Sequence, residues 1–347
     1  MNSKLTVGSM FAGVGGICQA FENAGFLLKW ANEFDSKACI TYRENFSHKL
    51  LECDVSTIPE PLIDAGSVDV ITSGFPCQAF SIAGYRKGFE DPRGNLFFET
   101  ARFIKTIQPK AFLLENVKNL KSHDHGKTIE VIKNTITNDL NYSFISFVLN
   151  ACEYGDIPQN RERIYIVGFK NEGGFKSPDQ KNLKQGTIDT IENDKYFYSS
   201  NFRIPEKVKL TKKIADLLET GSIDTKYYYK NDHIYYERLN KEMNNVNTLY
   251  QWRRVYVREN KSNLCPTLTA NMGTGGHNVP LLRDKNGIRK LTPKECFRFQ
   301  GFPESFKLPE MNNSSLYKQA GNSVVVTVVQ RIAEEINRVL NLKNDNI

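Results

Sequence analysis

The stretch KLTVGSMFAGVGGICQAFENAGFLLKWANE, residues 4–33, decides the fold. Residues 4–10 read as a strand, Phe11-Ala12-Gly13-Val14-Gly15-Gly16 as a tight loop, and 14–24 as a helix. Residues 27–33 read as a second strand and 36–45 as a second helix. A strand, a glycine loop, a helix and a strand make a β-α-β unit. The alternation continues, with strands expected at 68–73, 111–115, 143–149 and 163–169 and helices at 95–107 and 127–140. Short, uninterrupted apolar runs suit strands buried on both faces of a parallel sheet. The expected fold class is α/β, a doubly wound sheet with helices on both faces.

The pattern breaks over about residues 171–265, which are rich in Lys, Asn and Tyr and include Tyr227-Tyr228-Tyr229 and Tyr235-Tyr236. So long a segment does not suit a loop in a compact domain, and a smaller, irregular second domain is expected. Order returns at 292–299, where Pro293 stands at a helix start, and at 325–340, where Val325, Val329, Ile332, Ile336, Val339 and Leu340 recur at helical spacing. That apolar face needs a core, and the first domain is the expected host. The expected division is residues 1–175 with 318–347 as one domain and 176–317 as the other.

Composition sets bounds. The 347 residues are 40% hydrophobic and 24% charged, as in an ordinary globular chain. No apolar run suits a membrane span or a signal peptide, so the cytoplasm is the expected compartment. Seven cysteines without a CxxC pair argue against a disulfide framework or a zinc site. Net charge is +7, and residues 176–258 carry sixteen Lys or Arg against eleven Asp or Glu. That excess suits either a solvated basic surface or a polyanionic partner.

Four constellations carry chemistry. Phe11, Gly13, Gly15 and Gly16 form a loop between strand and helix, but without the GxGxxG spacing of a dinucleotide site. Glu33 ends the second strand, where an acid accepts hydrogen bonds from a ribose diol, and Asp54 follows a third strand. Together they suit an adenosine-bearing ligand; alone, the glycines are an ordinary tight turn. Next, Gly74-Phe75-Pro76-Cys77-Gln78 follows an apolar strand, so Cys77 sits at a strand's carboxyl end, where ligands of open α/β sheets bind. Pro76 restricts the direction of the thiol. Glu115-Asn116-Val117 ends the neighbouring strand, and Glu115 is either a turn residue or a second group facing the same crevice. Last, Gln159-Asn160-Arg161-Glu162-Arg163 is either a surface ion cluster or an ordered polar network.

In this order, these segments closely resemble the cytosine-C5 DNA methyltransferases of bacterial type II restriction–modification systems, over nearly the whole chain. Arg289-Lys290-Leu291-Thr292 with Glu295 and Arg298, then Gln300-Gly301-Phe302-Pro303, is similar to the motif after the family's variable region. Gly321-Asn322-Ser323-Val324 is similar to the final motif, which folds back beside the cofactor. The resemblance implies a Rossmann-like S-adenosylmethionine-dependent methyltransferase domain with a target-recognition domain. It implies cofactor contacts from Phe11, Gly13, Gly15, Gly16, Glu33, Phe34, Asp54, Val55, Pro76, Asn322 and Ser323. It implies Cys77 as nucleophile on C6 of a flipped-out cytosine, Glu115 at the N3 and N4 edge, Arg163 at O2 or at Glu115, and Arg161 in support.

The loop after Cys77 contains Gly84, Gly88 and Gly94 with Arg86, Lys87 and Arg93, and is expected to close over the flipped nucleotide, Ser81 touching a phosphate. Arg253, Arg254 and Arg258 are candidates for guanine edges or phosphates. Thr267, Thr269, Gly275 and Gly276 lie in a segment similar to those of enzymes for CCGG, CCNGG and CCWGG-type sites. Double-stranded DNA is the implied partner, a cognate restriction endonuclease the genetic one, and the chain is expected to act as a monomer. With no sizeable N-terminal extension, a fused regulatory helix-turn-helix domain is not expected. Competing readings are a tRNA cytosine-C5 methyltransferase, a non-catalytic DNA-binding protein that keeps the fold, and an NAD-dependent oxidoreductase.

Overall fold

The computed structural model describes residues 3–60, 67–76, 96–171, 188–192, 201–253, 256–274 and 279–342. The chain opens with β1 (Thr6–Met10), α1 (Gly16–Asn23), β2 (Leu27–Glu33), α2 (Ser36–Asn45) and β3 (Lys49–Glu52). β2 and α2 have the bounds expected from sequence. α2 starts where it does because Asp35 Oδ1 accepts from Lys37 N and Ala38 N, satisfying amides that the first turn leaves open. α1 starts later than expected because Gly13 and Gly15 hold φ of 57° and 91°, outside the helical region.

The chain continues through β4 (Val70–Ser73), α3 (Leu96–Ile107), β5 (Ala111–Val117) and α4 (Lys127–Asn134), where a π-helical turn, Thr135–Asp139, completes the expected helix. Next come β6 (Phe144–Asn150), α5 (Ala151–Tyr154), β7 (Gln159–Asn160), β8 (Glu162–Phe169) and β9 (Ile188–Glu192). The main sheet has the order β3-β2-β1-β4-β5-β8-β6-β9. Pairing is parallel from β3 through β5. The chain runs outward from β1 to β3 on one side and from β4 to β5 on the other. A crevice therefore opens at the carboxyl ends of β1 and β4, where the strand order reverses.

β8 departs from the parallel pattern. It inserts antiparallel between β5 and β6, with Glu115 opposite Tyr165 and Val117 opposite Arg163. Residues two apart on a strand share a face. Arg163 thus lies diagonally from Glu115 on one face of the sheet, a neighbourhood that a parallel β8 would not create.

The remaining elements are α6 (Tyr236–Glu242), β10 (Tyr250–Arg253), β11 (Tyr256–Glu259), β12 (Cys265–Pro266), β13 (Leu281–Asp284), β14 (Gly287–Lys290), α7 (Pro293–Phe299), α8 (Asn313–Asn322) and α9 (Val326–Leu340). α9 packs on α1, burying Val326, Val329, Ile332 and Ile336 in the core expected to receive it. Burying each such side chain contributes about 1.5–3 kcal/mol. Among the described residues, no helix is long and apolar enough to cross a membrane.

The middle segment holds more order than its sequence suggests. An antiparallel sheet runs β11-β10-β13-β14, and one face, with Tyr250, Trp252, Leu281 and Ile288, closes over Leu239 and Met243. Phe202, Ile214, Leu217, Leu249 and Leu268, from the same segment, join the main core. Arg289 fastens this sheet to α7. Its guanidinium is 2% exposed and grips both oxygens of the fully buried Glu295 at 2.8 Å, while Nε donates to Asp284 Oδ2 at 2.7 Å. Glu295 also accepts from Thr292 N, and Thr292 Oγ1 accepts from Glu295 N, the reciprocal cap that starts α7. Removing one partner of such a pair strands a buried charge. Arg289→Ala should therefore destabilise the protein by about 3–5 kcal/mol. The check is the urea unfolding midpoint, and a midpoint equal to wild type would refute this reading of the ion pair.

Candidate functional site

A cleft of ≈ 760 Å³ occupies the crevice at the ends of β1, β2, β4 and β5. Phe11, Gly13, Gly16, Glu33, Phe34, Asp54, Val55, Pro76, Asn322 and Ser323 line it, so the structure brings these predicted cofactor residues together. Glu33 shapes the loop as well as the cleft. Its Oε2 accepts from Gly13 N at 2.7 Å, and Oε1 accepts from Phe34 N and Asp35 N at 2.8 and 2.7 Å. Asp54 Oδ1 accepts from Ser56 N and Oγ, and these bonds hold its carboxyl below the usual range.

Two features make a cradle for a ligand. A Cβ on Gly16 would lie 2.5 Å from Ser323 Oγ, so glycine is what lets the loop and the C-terminal motif meet. Ser323 Oγ is itself buried without a hydrogen-bond partner among the described residues, a polar atom that a ligand can satisfy. Phe34 is 73% exposed at the rim and offers an apolar face to a flat ring. The C-terminal motif is held there by α2: Lys318 pairs with Asp35 at 2.7 Å, Thr41 Oγ1 donates to Gln319 Oε1 at 2.8 Å, and Gln319 Nε2 donates to Lys37 O at 3.0 Å. These side-chain ties were not legible in the sequence.

Gly15 is placed differently from its neighbours. It is not among the residues lining the cleft, and a Cβ on it would lie 2.2 Å from the Phe46 ring. Its φ of 91° is also costly for any side chain, by roughly 1–2 kcal/mol. Gly15→Ala should therefore displace the whole loop and weaken adenosyl-ligand binding by about tenfold or more, one tenfold step being about 1.4 kcal/mol. Calorimetric titration with S-adenosylhomocysteine is the measurement, and an unchanged Kd would contradict this reading.

Across the cleft stands a second group. Arg163 Nε lies 3.1 Å from Glu115 Oε1, both side chains largely buried. Burial pushes the Glu115 carboxyl above its usual range, although the Arg163 and Arg161 charges pull the other way. Asn116 Nδ2 donates to Phe75 O at 2.9 Å and so fixes the chain just before Pro76. Cys77 and residues 78–95, with Ser81, Gly84, Arg86, Lys87, Gly88, Arg93 and Gly94, lie outside the described residues. Gly74, Phe75 and Pro76 line the cleft beside Glu115. Arg161 also lines it, but its guanidinium reaches backbone carbonyls. Nη1 donates to Leu268 O at 2.7 Å, and Nη2 donates to Gly321 O and Ser323 O at 3.0 and 2.5 Å.

A polar cleft of ≈ 420 Å³ lies in the middle segment, lined by Arg253, Arg258, Thr267 and Thr269 together with Asn160 and Gln251. Strand geometry explains the grouping. Gln251 and Arg253 alternate with the buried Tyr250 and Trp252, and Arg258 stands opposite Gln251 on β11. One sheet face therefore builds the core while the other presents its polar side chains. A smaller cleft of ≈ 270 Å³ shares Val117 and Arg163 with the first site, and Asn160 and Thr267 with the second. Arg254, Gly275 and Gly276 lie outside the described residues.

The family model for C-5 cytosine-specific DNA methylase matches residues 5–338. The chain is similar to the type II methyltransferase M.Bsp6I of Bacillus sp. (strain RFL6), 52% identical over 336 residues, covering 96% of this chain and 98% of that one. It is similar to M.HhaI of Haemophilus parahaemolyticus, 38% identical over 355 residues, covering 96% and 94%. Among solved structures, the Dnmt2 methyltransferase of S. pombe shares the fold, with TM-score 0.67 and 20% identity over 98% of this chain and 100% of that one.

Proposed function

Because the chain belongs to the C-5 cytosine-specific DNA methylases, and transfers a methyl group from S-adenosylmethionine to C5 of cytosine in DNA, we propose how its own residues carry that reaction. The cytosine lies in a short specific duplex sequence and is rotated out of the helix, at a cost of roughly a few kcal/mol. The Cys77 thiolate adds to C6, which turns the ring into an enamine and makes C5 nucleophilic. Glu115 holds the N3 and N4 edge and donates a proton towards N3, offsetting the electron density pushed into the ring. Its raised pKa suits a carboxyl that must hold a proton. Arg163 pairs with Glu115 and orients it, or turns to the O2 carbonyl of the base. Bound S-adenosylmethionine supplies the electrophilic methyl group. C5 takes up that methyl group, water or hydroxide accepts the C5 proton, N3 returns its proton to Glu115, and Cys77 leaves by elimination.

The cradle at Gly16 and Ser323, the apolar face of Phe34 and the carboxylates of Glu33 and Asp54 fit that cofactor. The observation that carries the reading is that one cleft holds these groups, the Glu115–Arg163 pair and Pro76, the residue before Cys77. Target recognition falls to the segment 176–317, although β9 pairs into the main sheet and Phe202, Ile214 and Leu217 join the main core of the catalytic part, 1–175 with 318–347. Arg253, Arg258, Thr267 and Thr269 meet the duplex there, with Arg254, Gly275 and Gly276 beside them in sequence. Ser81, Arg86 and Arg93 belong to the loop expected to close over the flipped nucleotide. The segment around Thr267 supports a CCGG, CCNGG or CCWGG-type site. Methylation there by the monomer protects the DNA from a cognate endonuclease.

The test is bisulfite sequencing of plasmid DNA from a methylation-deficient host expressing the chain. Protection of one cytosine within a single short motif is the expected result and names the site. Soluble protein with no protected cytosine would overturn the duplex DNA substrate and turn attention to RNA.

A further inference from the structure

The cofactor cleft and the polar recognition cleft share a wall. Its outer side is the segment Thr267-Leu268-Thr269, whose two threonines line the recognition cleft. Its inner side is Gly321 to Ser323, which lines the cofactor cleft. The two backbones touch so closely that a Cβ on Gly321 would lie 2.2 Å from the Thr269 carbonyl carbon. Between them lies Arg161, 2% exposed, whose fork donates outward to Leu268 O and inward to Gly321 O and Ser323 O. Gln159 Oε1 accepts from Leu268 N at 3.2 Å, so both polar groups of Leu268 are held by this one strand end.

We propose that Arg161 is a positioning residue that couples occupancy of the DNA-recognition cleft to binding in the cofactor cleft. The proposal rests on the reading above that 267–269 faces the duplex. Contact with DNA on Thr267 and Thr269 sets the position of the Leu268 carbonyl. The rigid guanidinium cannot follow that carbonyl without changing its bonds to Gly321 and Ser323, both of which line the cofactor cleft. Close-packed segments pass such shifts on rather than absorbing them. Linkage then requires the effect to be reciprocal: the duplex changes cofactor affinity by a factor α, and the cofactor changes duplex affinity by the same factor. Lysine offers no planar fork, so Arg161→Lys breaks the bridge while keeping a long side chain in its place.

The experiment measures Kd for S-adenosylhomocysteine with and without a saturating duplex carrying the sequence protected in the bisulfite experiment. Kd for that duplex is then measured with and without S-adenosylhomocysteine. Wild type should give α of about 5–150, equal from both sides. Arg161→Lys should bring α to within about twofold of one. Because α is a ratio, a uniform loss of affinity from a loosened fold cancels out of it. A lysine variant with the wild-type α overturns the proposal, and so does a wild-type α of one. Should the lysine variant not fold, Thr267→Val removes the exposed bond from Thr267 Oγ1 to Asn160 O and loosens the same segment. It should lower α, and an unchanged α overturns the proposal. A wild-type chain that binds no duplex overturns the DNA reading and this proposal with it, whereas duplex binding with α of one overturns the coupling alone.

Discussion

Cys77→Ala is expected to lower methyl transfer by on the order of 10⁶-fold, the scale seen when an enzyme's nucleophile is removed. Cytosine C5 is unreactive until a nucleophile occupies C6, and nothing else in the Gly74–Gln78 sequence offers one. The geometry around the position is set by neighbours. β4 delivers Gly74, Phe75 and Pro76 to the cleft, and Asn116 holds the Phe75 carbonyl from the adjoining strand. A Cβ on Gly74 would lie 3.8 Å from Glu115 Oε2, so the chain leading to Cys77 runs past that carboxyl. The variant should still bind S-adenosylhomocysteine with near wild-type affinity, because the cradle at Gly16 and Ser323 is untouched. Tritiated methyl transfer to the duplex is the readout. Turnover within tenfold of wild type would remove Cys77 from the mechanism.

Glu115→Gln should reduce kcat by about 10²–10⁴-fold, the range for a positioned acid or base. Glutamine keeps the shape and a hydrogen bond to the base edge but has no proton to give towards N3. It also leaves Arg163 without its carboxylate partner at 3.1 Å. The pH profile separates these effects. Burial raises the Glu115 pKa, so the carboxyl stays protonated to a higher pH than an ordinary glutamate. A rate that needs the protonated form falls as pH rises through that raised value. The glutamine variant should lose this alkaline limb, keeping only the rise with pH that forms the Cys77 thiolate. An alkaline limb that survives unchanged in Glu115→Gln would assign it to another group.

The sequence by itself determined the α/β framework and the order of its chemical segments. An uninterrupted apolar run records a strand buried on both faces, as in β4 and β5, and the bounds of β2 and α2 were legible to the residue. The carboxyl-end rule for open sheets followed from the same pattern and pointed to the strand ends, where the structure gathers Phe11, Glu33, Asp54, Pro76 and Glu115 in one crevice. Tertiary structure decided what depends on partners distant in the chain. The antiparallel insertion of β8 sets Arg163 beside Glu115, and no local signal distinguishes it from a parallel strand. Gly15 and Gly16 read alike in sequence, yet one faces Phe46 and the other Ser323. Four-residue strands are too short to show a period, which hid the sheet of β10, β11, β13 and β14. The two arginines of the Gln159–Arg163 segment diverge most. Arg163 meets a carboxylate across the sheet, while Arg161 ties carbonyls 107 and 160 positions away, because hydrogen-bond partners are chosen by packing and not by spacing along the chain.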